Sequence, residues 1–576
     1  MISPRAFALF AVFGAGVARA TLQRPFASPL DVSWDELREK VDGRLYAGSP
    51  WAKPCFDDPE SDACREIRLN YRDEASRASS SGAYINTQWE TCQSTREQCL
   101  LDYTNPRDKS AISSPYSCSL GSVSDYYIDV REPKDVTAAF EFSKRTHIPV
   151  IVKNSGHDYK GRSSAPRSLG LWTRNLKNMT YNPKFVPKGC DKASAGVTLG
   201  AGVAWGEAYE FAEENNITVV GGSDKTVGAV GGWLQGGGHG ALSNTMGMGV
   251  DRVLEFEVVT PDGQLRTANA CQNEDLFFAL RGGGGGTFGV VTSATILASP
   301  QVTLQTIIVA FPRNDKRARQ LFTVMVDNGL AWAAAGWGGL ANAQAAIYVN
   351  PVLNKEEAAE SMKPLIELGE RLKREGGEPV QVVVREFGSW GGFFHAFAGE
   401  YVAAVGASLA LSSRLIPKDN FVQAEDRKAL VDAFVAADSS TPGLIVLISP
   451  PTSYKGDTGR TSVTEAWRNS IYHITVISPW NWNATTVEKS EHYARASASI
   501  DHLRRLTPDA AYVNEADVYE ANHEIAFWGS NYPELLKIKQ KYDPDHLLDC
   551  WQCVGWKPES KRFACYLPQN VSITSV

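Results

Sequence analysis

One histidine lies in a loop whose composition suits an anion. Pro149–Val152 predicts a short apolar strand, which ends in the polar loop Asn154-Ser155-Gly156-His157. A strand that ends in such small residues exposes successive backbone N–H groups, and these suit a phosphate or pyrophosphate. A lone histidine is more often a structural or surface residue than a reactive one. The setting of His157 nevertheless makes it the first candidate for chemistry.

Glycine is unusually dense at the strand ends that follow this loop. Runs of glycine occur within 221–228, at 231–232, at 236–238 and at 282–286. Such density indicates backbone with positive φ, or the close approach of another body. The run at 282–286 fits GxGxxG, but a strand is expected after it instead of a helix, so a Rossmann dinucleotide site is disfavoured. For any single run, tight turns alone stay an open alternative.

The spacing of histidines and cysteines does not favour a metal site. His147, His157 and His239 have no partner ligands at short spacing. Cys550-x-x-Cys553 has no second pair at zinc spacing, so a structural disulfide is favoured over a redox or zinc motif. We therefore expect no metal.

Composition and charge limit the class of protein. With 576 residues the chain exceeds one hydrophobic core, and two or three domains are expected. A content of 43% hydrophobic and 21% charged residues is that of a soluble globular protein. The net charge of −7 gives no basic footprint for nucleic acid and no attraction to anionic lipid.

The N-terminus predicts secretion. Residues 1–20 combine Arg5, the apolar stretch Phe7–Val17 and the small-x-small pattern Ala18-Arg19-Ala20, which is typical of a cleaved signal peptide. Ten cysteines fit disulfides in an oxidising compartment. Four sequons predict glycosylation, at Asn178, Asn216, Asn483 and Asn570.

The pattern of predicted strands and helices along the chain indicates an α+β fold in several parts. Residues 21–115 form a polar extension braced by disulfides, with helices near Trp34–Val41 and Ala63–Arg77. Residues 116–300 alternate short strands and helices and include a βαβ unit. Residues 301–505 predict an α+β domain with a largely antiparallel sheet, including a helix over Lys355–Arg374. Residues 506–576 form a tail with a helix over Tyr532–Lys541.

Several motifs from about residue 120 onward resemble one family. They are Asn154–Ser164, Val197–Gly202 with Trp205-Gly206, Gly236–Gly240, Gly282–Gly286 with Phe288–Thr292, and Trp528–Tyr532. The chain resembles the vanillyl-alcohol oxidase and p-cresol methylhydroxylase flavoproteins, in particular the secreted fungal members of the berberine-bridge-enzyme-like branch. The resemblance implies a two-subdomain PCMH-type FAD-binding domain, a substrate domain with a large antiparallel sheet, and a tail that returns to the FAD domain.

The resemblance also implies how the cofactor is held. His157 aligns with the histidine that is bonded to the 8α carbon of FAD. Many relatives add a cysteine link two residues before Thr-Val-Gly, but Asp224 stands there and cannot form a thioether, so a covalent bond through His157 only is expected. The implied FAD-binding residues are Asn154, Ser155, Gly156, His157, Asp158, Gly161, Arg162, Ser163, Gly222, Ser223, Asp224, Thr226, Gly228, Gly231, Gly232, Gly237, Val291 and Asn514.

Four residues are candidates for catalysis. Val227 matches the position of the oxygen gatekeeper, where valine goes with oxidase behaviour. Glu515 ends Tyr512-Val513-Asn514-Glu515, at the place where relatives have the last tyrosine of Tyr-x-Asn-Tyr. Burial could raise the pKa of Glu515 into the range of a general base; an equally weighted alternative is a structural pair. Tyr512 and Asp517 are the fallback bases.

The resulting prediction is a secreted, monomeric FAD-dependent oxidase. It would transfer a hydride from a small-molecule alcohol, sugar or secondary-metabolite substrate to FAD, with dioxygen as acceptor and hydrogen peroxide as product. Neither nucleic acid nor membrane is an expected partner. One alternative is a flavin dehydrogenase with another acceptor, and a second is a secreted flavin-containing binding protein without turnover.

Overall fold

The protein has the α+β fold that the sequence predicts, built on three main sheets. The computed structural model describes residues 32–397, 404–456 and 459–568. The expected signal peptide and the sequon at Asn570 lie outside the described residues. The asparagines of the other three sequons are exposed.

The N-terminal extension consists of short elements. They are α1 (Asp35–Lys40), β1 (Leu45–Ala47), α2 (Lys53–Asp57), α3 (Asp62–Asn70) and α4 (Glu74–Ala78). The single helix expected over Ala63–Arg77 is wrong, because the helix breaks between Asn70 and Glu74. The Asp73 carboxylate accepts a hydrogen bond from the Ser76 amide at 2.7 Å, and this cap starts a new helix.

The next region holds two sheets. A four-stranded sheet has the order β1-β2-β4-β3, in which β4 pairs in parallel with both β2 and β3. A five-stranded antiparallel sheet has the order β5-β6-β10-β8-β9. The βαβ unit is confirmed as β2–α5–β3, and Pro133 stands in the first turn of α5, where its missing N–H costs nothing.

The elements of this region follow in chain order. They are β2 (Tyr126–Asp129), α5 (Pro133–Thr146), β3 (Val150–Lys153), β4 (Leu169–Trp172), β5 (Met179–Phe185), β6 (Ser194–Gly200), α6 (Trp205–Glu214), β7 (Ile217–Thr218), α7 (Leu234–Gly236), α8 (Ser243–Met246), β8 (Val253–Val259), β9 (Leu265–Asn269), α9 (Glu274–Leu280), β10 (Val290–Leu297) and β11 (Ser299–Pro300). A π-helical turn, Ala229–Trp233, precedes α7.

A seven-stranded sheet forms the next region, and all its pairs are antiparallel, as expected. Its order is β15-β12-β14-β13-β17-β18-β16. The elements are β12 (Leu304–Ala310), α10 (Asp315–Ala334), β13 (Gly338–Asn342), β14 (Ala345–Asn350), α11 (Lys355–Ser361), α12 (Lys363–Glu375), β15 (Gln381–Phe387), α13 (Trp390–Phe397), β16 (Ser408–Pro417), α14 (Ala424–Ser440), β17 (Ile445–Ile448), α15 (Ala466–Asn469), β18 (Ser470–Trp480) and α16 (Thr486–Arg504).

The single helix expected over Lys355–Arg374 is also wrong. It is interrupted at Met362, so that α11 and α12 are separate helices. Pro364 lacks an N–H and disfavours the helical conformation of the residue before it, and it therefore stands in the first turn of α12.

The tail packs back onto the middle of the chain. Its helices are α17 (His523–Trp528) and α18 (Tyr532–Tyr542). Trp528 and Tyr512 of the tail share one hydrophobic core with Trp205 of α6 and Phe256 of β8. Among the described residues, no helix combines the length and the apolar character needed to cross a membrane.

All ten cysteines form disulfides, which confirms their predicted structural role. The pairs are Cys55–Cys64, Cys92–Cys565, Cys99–Cys118, Cys190–Cys271 and Cys550–Cys553. Cys92–Cys565 joins the extension to the tail. A covalent bond therefore fixes the end of the tail to the extension.

A buried ion pair in the extension gives a stability prediction. Arg77 is fully buried and donates hydrogen bonds to Glu90 Oε1 at 2.7 Å and to the carbonyl of Tyr84 at 2.9 Å. We expect Arg77→Met to lower the free energy of unfolding by about 3–5 kcal/mol, because the buried Glu90 carboxylate would lose its ion-pair partner and keep only the hydrogen bond from the Tyr84 amide. Urea unfolding measures this.

The matched control is Lys53→Met. The Lys53–Asp57 pair is exposed on both sides, and exposed pairs contribute little to stability. If the two variants unfold at the same urea concentration, the stabilising role of the Arg77–Glu90 pair is contradicted.

Candidate functional site

The loop that follows β3 places His157 against a threonine and an aspartate. His157 Nε2 lies 2.6 Å from Thr226 Oγ1 and 3.5 Å from Asp224 Oδ1, and its side chain is 9% exposed. Asp224 Oδ1 accepts hydrogen bonds from the Thr226 amide at 2.8 Å and from Thr226 Oγ1 at 3.0 Å. Thr226 has only one hydroxyl proton and gives it to Asp224, so His157 Nε2 is the donor to Thr226 Oγ1. The lone pair of the imidazole is therefore on Nδ1.

The charges at this end of the site agree with that tautomer. Burial lowers the pKa of His157, with the Asp224 charge as a smaller opposing effect, and the imidazole is neutral near pH 7. Burial alone would raise the pKa of Asp224, but His157 and the hydrogen bonds from Thr226 outweigh it and keep that pKa below its usual range. His157 is thus a neutral nucleophile beside a carboxylate.

A glycine-lined cradle starts at the same loop. Within the described chain, the amides of Ser155, Gly156, His157 and Asp158 donate no hydrogen bond. The buried Oδ1 of Asn154 also lacks a hydrogen-bond partner there. Buried polar groups are normally paired, so these amides and the Asn154 oxygen are suited to bind a polar ligand.

The glycines around Asn154 are needed for two different reasons. A Cβ at Gly228 would lie 2.0 Å from Asn154 Oδ1, and one at Gly231 would lie 3.0 Å from Asn154 Cγ, so both allow the asparagine to approach. A Cβ at Gly232 would meet no atom within 4 Å and would enter open space. Unpaired amides beside such space fit the pyrophosphate and ring system of FAD.

Asp158 shapes the loop from inside. Its carboxylate accepts hydrogen bonds from the amides of Lys160 at 3.0 Å, Gly161 at 2.9 Å and Ser163 at 2.7 Å, and from Ser163 Oγ at 2.6 Å. Gly161 has φ +72° and faces the ring of Trp89, which leaves no room for a side chain. These residues hold the histidine loop in place.

Two side chains connect the tail to the cradle, Arg162 from the loop and Asn514 from the tail. Arg162 donates to the carbonyl of Val513 at 2.8 Å, and burial lowers its pKa. Asn514 Nδ2 donates to the carbonyl of Gly232 at 2.8 Å and to Tyr512 Oη at 2.8 Å. The expected contributors from the loop, the glycine run and the tail therefore meet at one place.

Next to Asn514, the tail carries a carboxylate between two imidazoles. Glu515 Oε1 lies 3.2 Å from His239 Nε2, and Glu515 Oε2 lies 2.8 Å from His473 Nε2. The ring of Trp467 stacks on His239, with centroids 5.6 Å apart. A carboxylate can only accept hydrogen bonds, so both histidines carry their proton on Nε2. The lone pair of His239 is then on Nδ1.

The expected upward shift of the Glu515 pKa is wrong. Burial does raise it, but the positive charge of His239 and His473 when protonated, together with their hydrogen bonds to the carboxylate, outweighs burial and holds the pKa of Glu515 well below its usual range. Glu515 is a stable anion, which is a weak base on its own. Its structural pairing, the alternative considered from the sequence, is what the structure shows.

The sequence does not predict the two histidines of this cluster. His239 has no potential ligand near it in sequence, because its partners come from β18 and the tail. His473 is fully buried in the apolar strand β18. An ionisable residue in such a strand is the signal that could have identified it, since buried charges require partners.

The two fallback bases have other partners. Tyr512 Oη accepts from the Gly238 amide at 3.3 Å and lies 3.4 Å from the carbonyl of Trp233, and burial and the Glu515 charge raise its pKa. Asp517 is 3% exposed and pairs with Arg504 at 3.3 Å. Both side chains are occupied in structural contacts.

The remaining expected residues lie on the walls of the same region. Val227 is half-buried, and its carbonyl accepts from the Trp205 amide at 3.0 Å. Gly222 accepts from Tyr209 Oη at 2.7 Å, and Ser223 is exposed. Gly237 has φ +137°, and Val291 lies buried in β10.

The pKa of one phenol responds to the carboxylates at both ends of the site. Burial raises the pKa of Tyr159, and the charges of Glu515 and Asp224 raise it further. Tyr159 therefore lies within electrostatic reach of both carboxylates. The site thus has a nucleophilic imidazole at one end, a carboxylate with two imidazoles at the other, and a glycine cradle next to both.

Two groups in the described chain have the composition of a metal site. They are His239, His473 and Glu515, and Glu74, His157 and Asp224, with ligand atoms within 4.8 Å of one another in each. Nε2 of each histidine already faces a carboxylate oxygen of its own group. We therefore interpret both as hydrogen-bonded acid–base clusters and not as metal sites.

Two known domain families match segments of the chain that contribute residues to this site. A family described as "FAD binding domain" matches residues 124–269, and one described as "Berberine and berberine like" matches residues 511–554. The curated FAD-linked oxidoreductase ffsJ of Aspergillus flavipes is 39% identical, over 92% of this chain and 93% of its own length.

Solved structures share the fold. The VAO-type flavoprotein MtVAO615 of Myceliophthora thermophila has a TM-score of 0.80 at 27% identity, covering 91% of this chain and 94% of its own. The glucooligosaccharide oxidase of Acremonium strictum, described with a 6-S-cysteinyl, 8α-N1-histidyl FAD, has a TM-score of 0.60 at 20% identity, covering 75% of this chain and 91% of its own.

The open space at Gly232 gives a prediction about FAD. Gly232→Val should keep the unfolding midpoint of the FAD-free protein but lower its FAD content, because the new side chain projects into the cradle and not into the protein. Flavin absorbance per chain measures this. Gly228→Val is the comparison, since its side chain collides with Asn154 and should also lower the midpoint. A Gly232→Val protein with full FAD content would contradict the position of the cradle.

Proposed function

The chain belongs to the FAD-linked oxidoreductases with a berberine-like C-terminal segment, and from this we propose that it is a secreted oxidase of a hydroxyl-bearing small molecule. FAD would be bonded to His157, and dioxygen would be the electron acceptor. One observation carries the proposal: Asn514 joins the cradle beside His157 to the Glu515 cluster, so a cofactor site and a proton-holding site are continuous.

A single covalent bond through His157 is supported by its neighbours. Thr226 and Asp224 hold the proton on Nε2, and Nδ1 is left with the lone pair that a bond to the 8α carbon requires. Asp224 has no sulfur to form a second link. A bond at Nδ1 matches the "8α-N1-histidyl" of the Acremonium enzyme's description, while its "6-S-cysteinyl" has no counterpart here.

The Glu515 cluster is suited to take the proton of the substrate hydroxyl. When bound, FAD supplies the hydride-accepting chemistry and returns electrons to dioxygen. His239 takes the hydroxyl proton at Nδ1, and Glu515 stabilises the imidazolium that forms. His473 is fully buried and fixes the second oxygen of Glu515, so it does not touch substrate.

Secretion belongs to the same proposal. Five disulfides fit an oxidising compartment. The signal-peptide pattern of residues 1–20 and the exposed sequon asparagines Asn178, Asn216 and Asn483 fit a secreted glycoprotein. Substrate and dioxygen are the partners proposed for a monomeric enzyme.

The direct test is a panel of alcohols, sugars and phenols mixed with the protein without oxygen. A substrate should bleach the flavin, and air should restore its colour with one hydrogen peroxide per turnover. Bleaching without peroxide would favour a dehydrogenase with another acceptor. A flavin that no compound bleaches, but that air reoxidises after photoreduction, would favour a binding protein without turnover.

The Glu515 cluster yields a kinetic prediction. Glu515→Gln keeps the size of the side chain but removes the charge that stabilises protonated His239. The rate of flavin bleaching by substrate should fall about 100- to 10,000-fold, the usual contribution of acid–base catalysis, while FAD content stays constant. Glu559→Gln, an exposed change in the tail, serves as the control. A Glu515→Gln enzyme with the wild-type bleaching rate would contradict the assignment.

Val227 yields a prediction about oxygen. Val227→Ile adds one methylene on the wall beside the cradle and should slow reoxidation of the reduced flavin by air at least about tenfold, with bleaching by substrate unchanged. Stopped-flow mixing of reduced protein with air-saturated buffer measures it. Val352→Ile, at an exposed position, is the control. Equal reoxidation rates would remove Val227 from the oxygen path.

A further inference from the structure

The N-terminal extension contributes a carboxylate to the attachment site. We propose that Glu74 of the extension and Asp224 together accept the proton that leaves His157 when the flavin becomes covalently attached. This inference rests on the proposed bond between His157 and FAD. It gives the extension, which carries no chemistry recognisable in its sequence, a part in maturation of the enzyme.

The geometry brings three ionisable groups together. Ligand atoms of Glu74, His157 and Asp224 all lie within 4.8 Å of one another. The side chains are largely withdrawn from solvent, with exposed fractions of 9% for Glu74, 9% for His157 and 19% for Asp224. Glu74 begins α4, whose start is fixed by the Asp73 cap. The extension therefore holds a carboxylate beside the attachment residue.

A continuous hydrogen-bonded path leads from the histidine to the pair. His157 Nε2 donates to Thr226 Oγ1, and Thr226 Oγ1 donates to Asp224 Oδ1. Two carboxylates this close repel each other when both are charged, so the pair tends to share one proton. Burial and the charge of Asp224 raise the pKa of Glu74 to about 7. Above that pH both carboxylates are charged, and the pair accepts a proton most readily.

Other charged groups face the pair as well. Lys225 Nζ lies 3.3 Å from Glu74 Oε1 and limits the rise of its pKa. The charge of Arg174 disfavours protonation of His157. Tyr159 responds to Asp224, but its pKa is raised and it stays protonated. Among these groups, only Glu74 changes charge near neutral pH while touching the path.

The attachment step balances as an oxidation. Nδ1 of His157 forms a bond to the 8α carbon, and one C–H bond of that methyl group breaks. The C–H proton leaves to solvent, and the Nε2 proton passes through Thr226 to the carboxylate pair. The two electrons of the C–H bond pass through the flavin to dioxygen, which with two protons becomes hydrogen peroxide. A proton acceptor at Nε2 lets the attached imidazole become neutral.

The test follows covalent attachment and not catalytic activity. The full-length chain is produced in a riboflavin-starved host and given FAD, and flavin that stays with acid-precipitated protein is measured over time, below and above pH 7. In the wild type, the attachment rate should rise through pH 7 as Glu74 loses its proton. Glu74→Gln should attach flavin at least about tenfold more slowly and without this rise, as expected for loss of a general base.

Three further variants make the outcome specific. Asp224→Asn should also be slow, Glu74→Asp should recover part of the rate because it keeps a carboxylate, and Glu66→Gln, an exposed acid on α3, should match the wild type. Total FAD bound before precipitation should be equal in the wild type and in the variants at Glu74 and Glu66, and for Asp224→Asn the attachment rate is expressed per FAD bound. Wild-type rates and pH profiles in Glu74→Gln and Asp224→Asn would overturn the inference, as would a Glu74→Gln chain that binds no FAD, since Glu74 would then be structural.

A different result would show that the proposed bond between His157 and FAD is wrong. His157→Ala should retain no acid-stable flavin at any time. If the wild type itself retains none, the bond to His157 is wrong and this inference falls with it. If the wild type attaches flavin to His157 and the Glu74 and Asp224 variants attach it equally fast, the bond to His157 is supported. The proposed role of Glu74 and Asp224 is then wrong.

Discussion

The hydrogen bond between His157 Nε2 and Thr226 Oγ1 is the contact on which the rest of the site depends. Because Thr226 gives its own proton to Asp224, the imidazole must hold its proton on Nε2 and present a lone pair at Nδ1. Burial keeps that imidazole neutral. The loop conformation imposed by Asp158 then serves one purpose, which is to hold a nucleophilic nitrogen beside the glycine cradle.

At the other end of the site, hydrogen bonds also fix where the protons lie, but the central group there is a carboxylate and its partners are imidazoles. Glu515 is held as an anion by two imidazoles, and so the cluster can receive a proton without leaving a buried charge unpaired. A carboxylate with a raised pKa would have made a different enzyme, in which the acid itself takes the proton. In the function proposed above the base is an imidazole, His239, and the carboxylate provides its orientation and the opposing charge.

Motifs in the sequence predicted much of the fold and one end of the site. The strand into Asn154, the βαβ unit and the antiparallel sheet depend on local patterns, and these were read correctly. Two helix breaks were not predicted, at Asp73 and at Met362. In each case the helical spacing of apolar residues continues across the break, but an N-terminal cap at Asp73 and a proline after Met362 start a new helix. The histidine partners of Glu515 were not predicted, because His239, His473 and Glu515 come from three distant segments and only tertiary packing brings them together. The proximity of Glu74 to His157 was hidden for the same reason.

The most direct test of this account is to digest the protein with protease after acid precipitation and identify the flavin-bearing peptides by mass spectrometry. The account predicts one such peptide, containing His157, with FAD bonded to the histidine and with Asp224 unmodified. Release of all flavin by acid, or attachment to any residue other than His157, would contradict it.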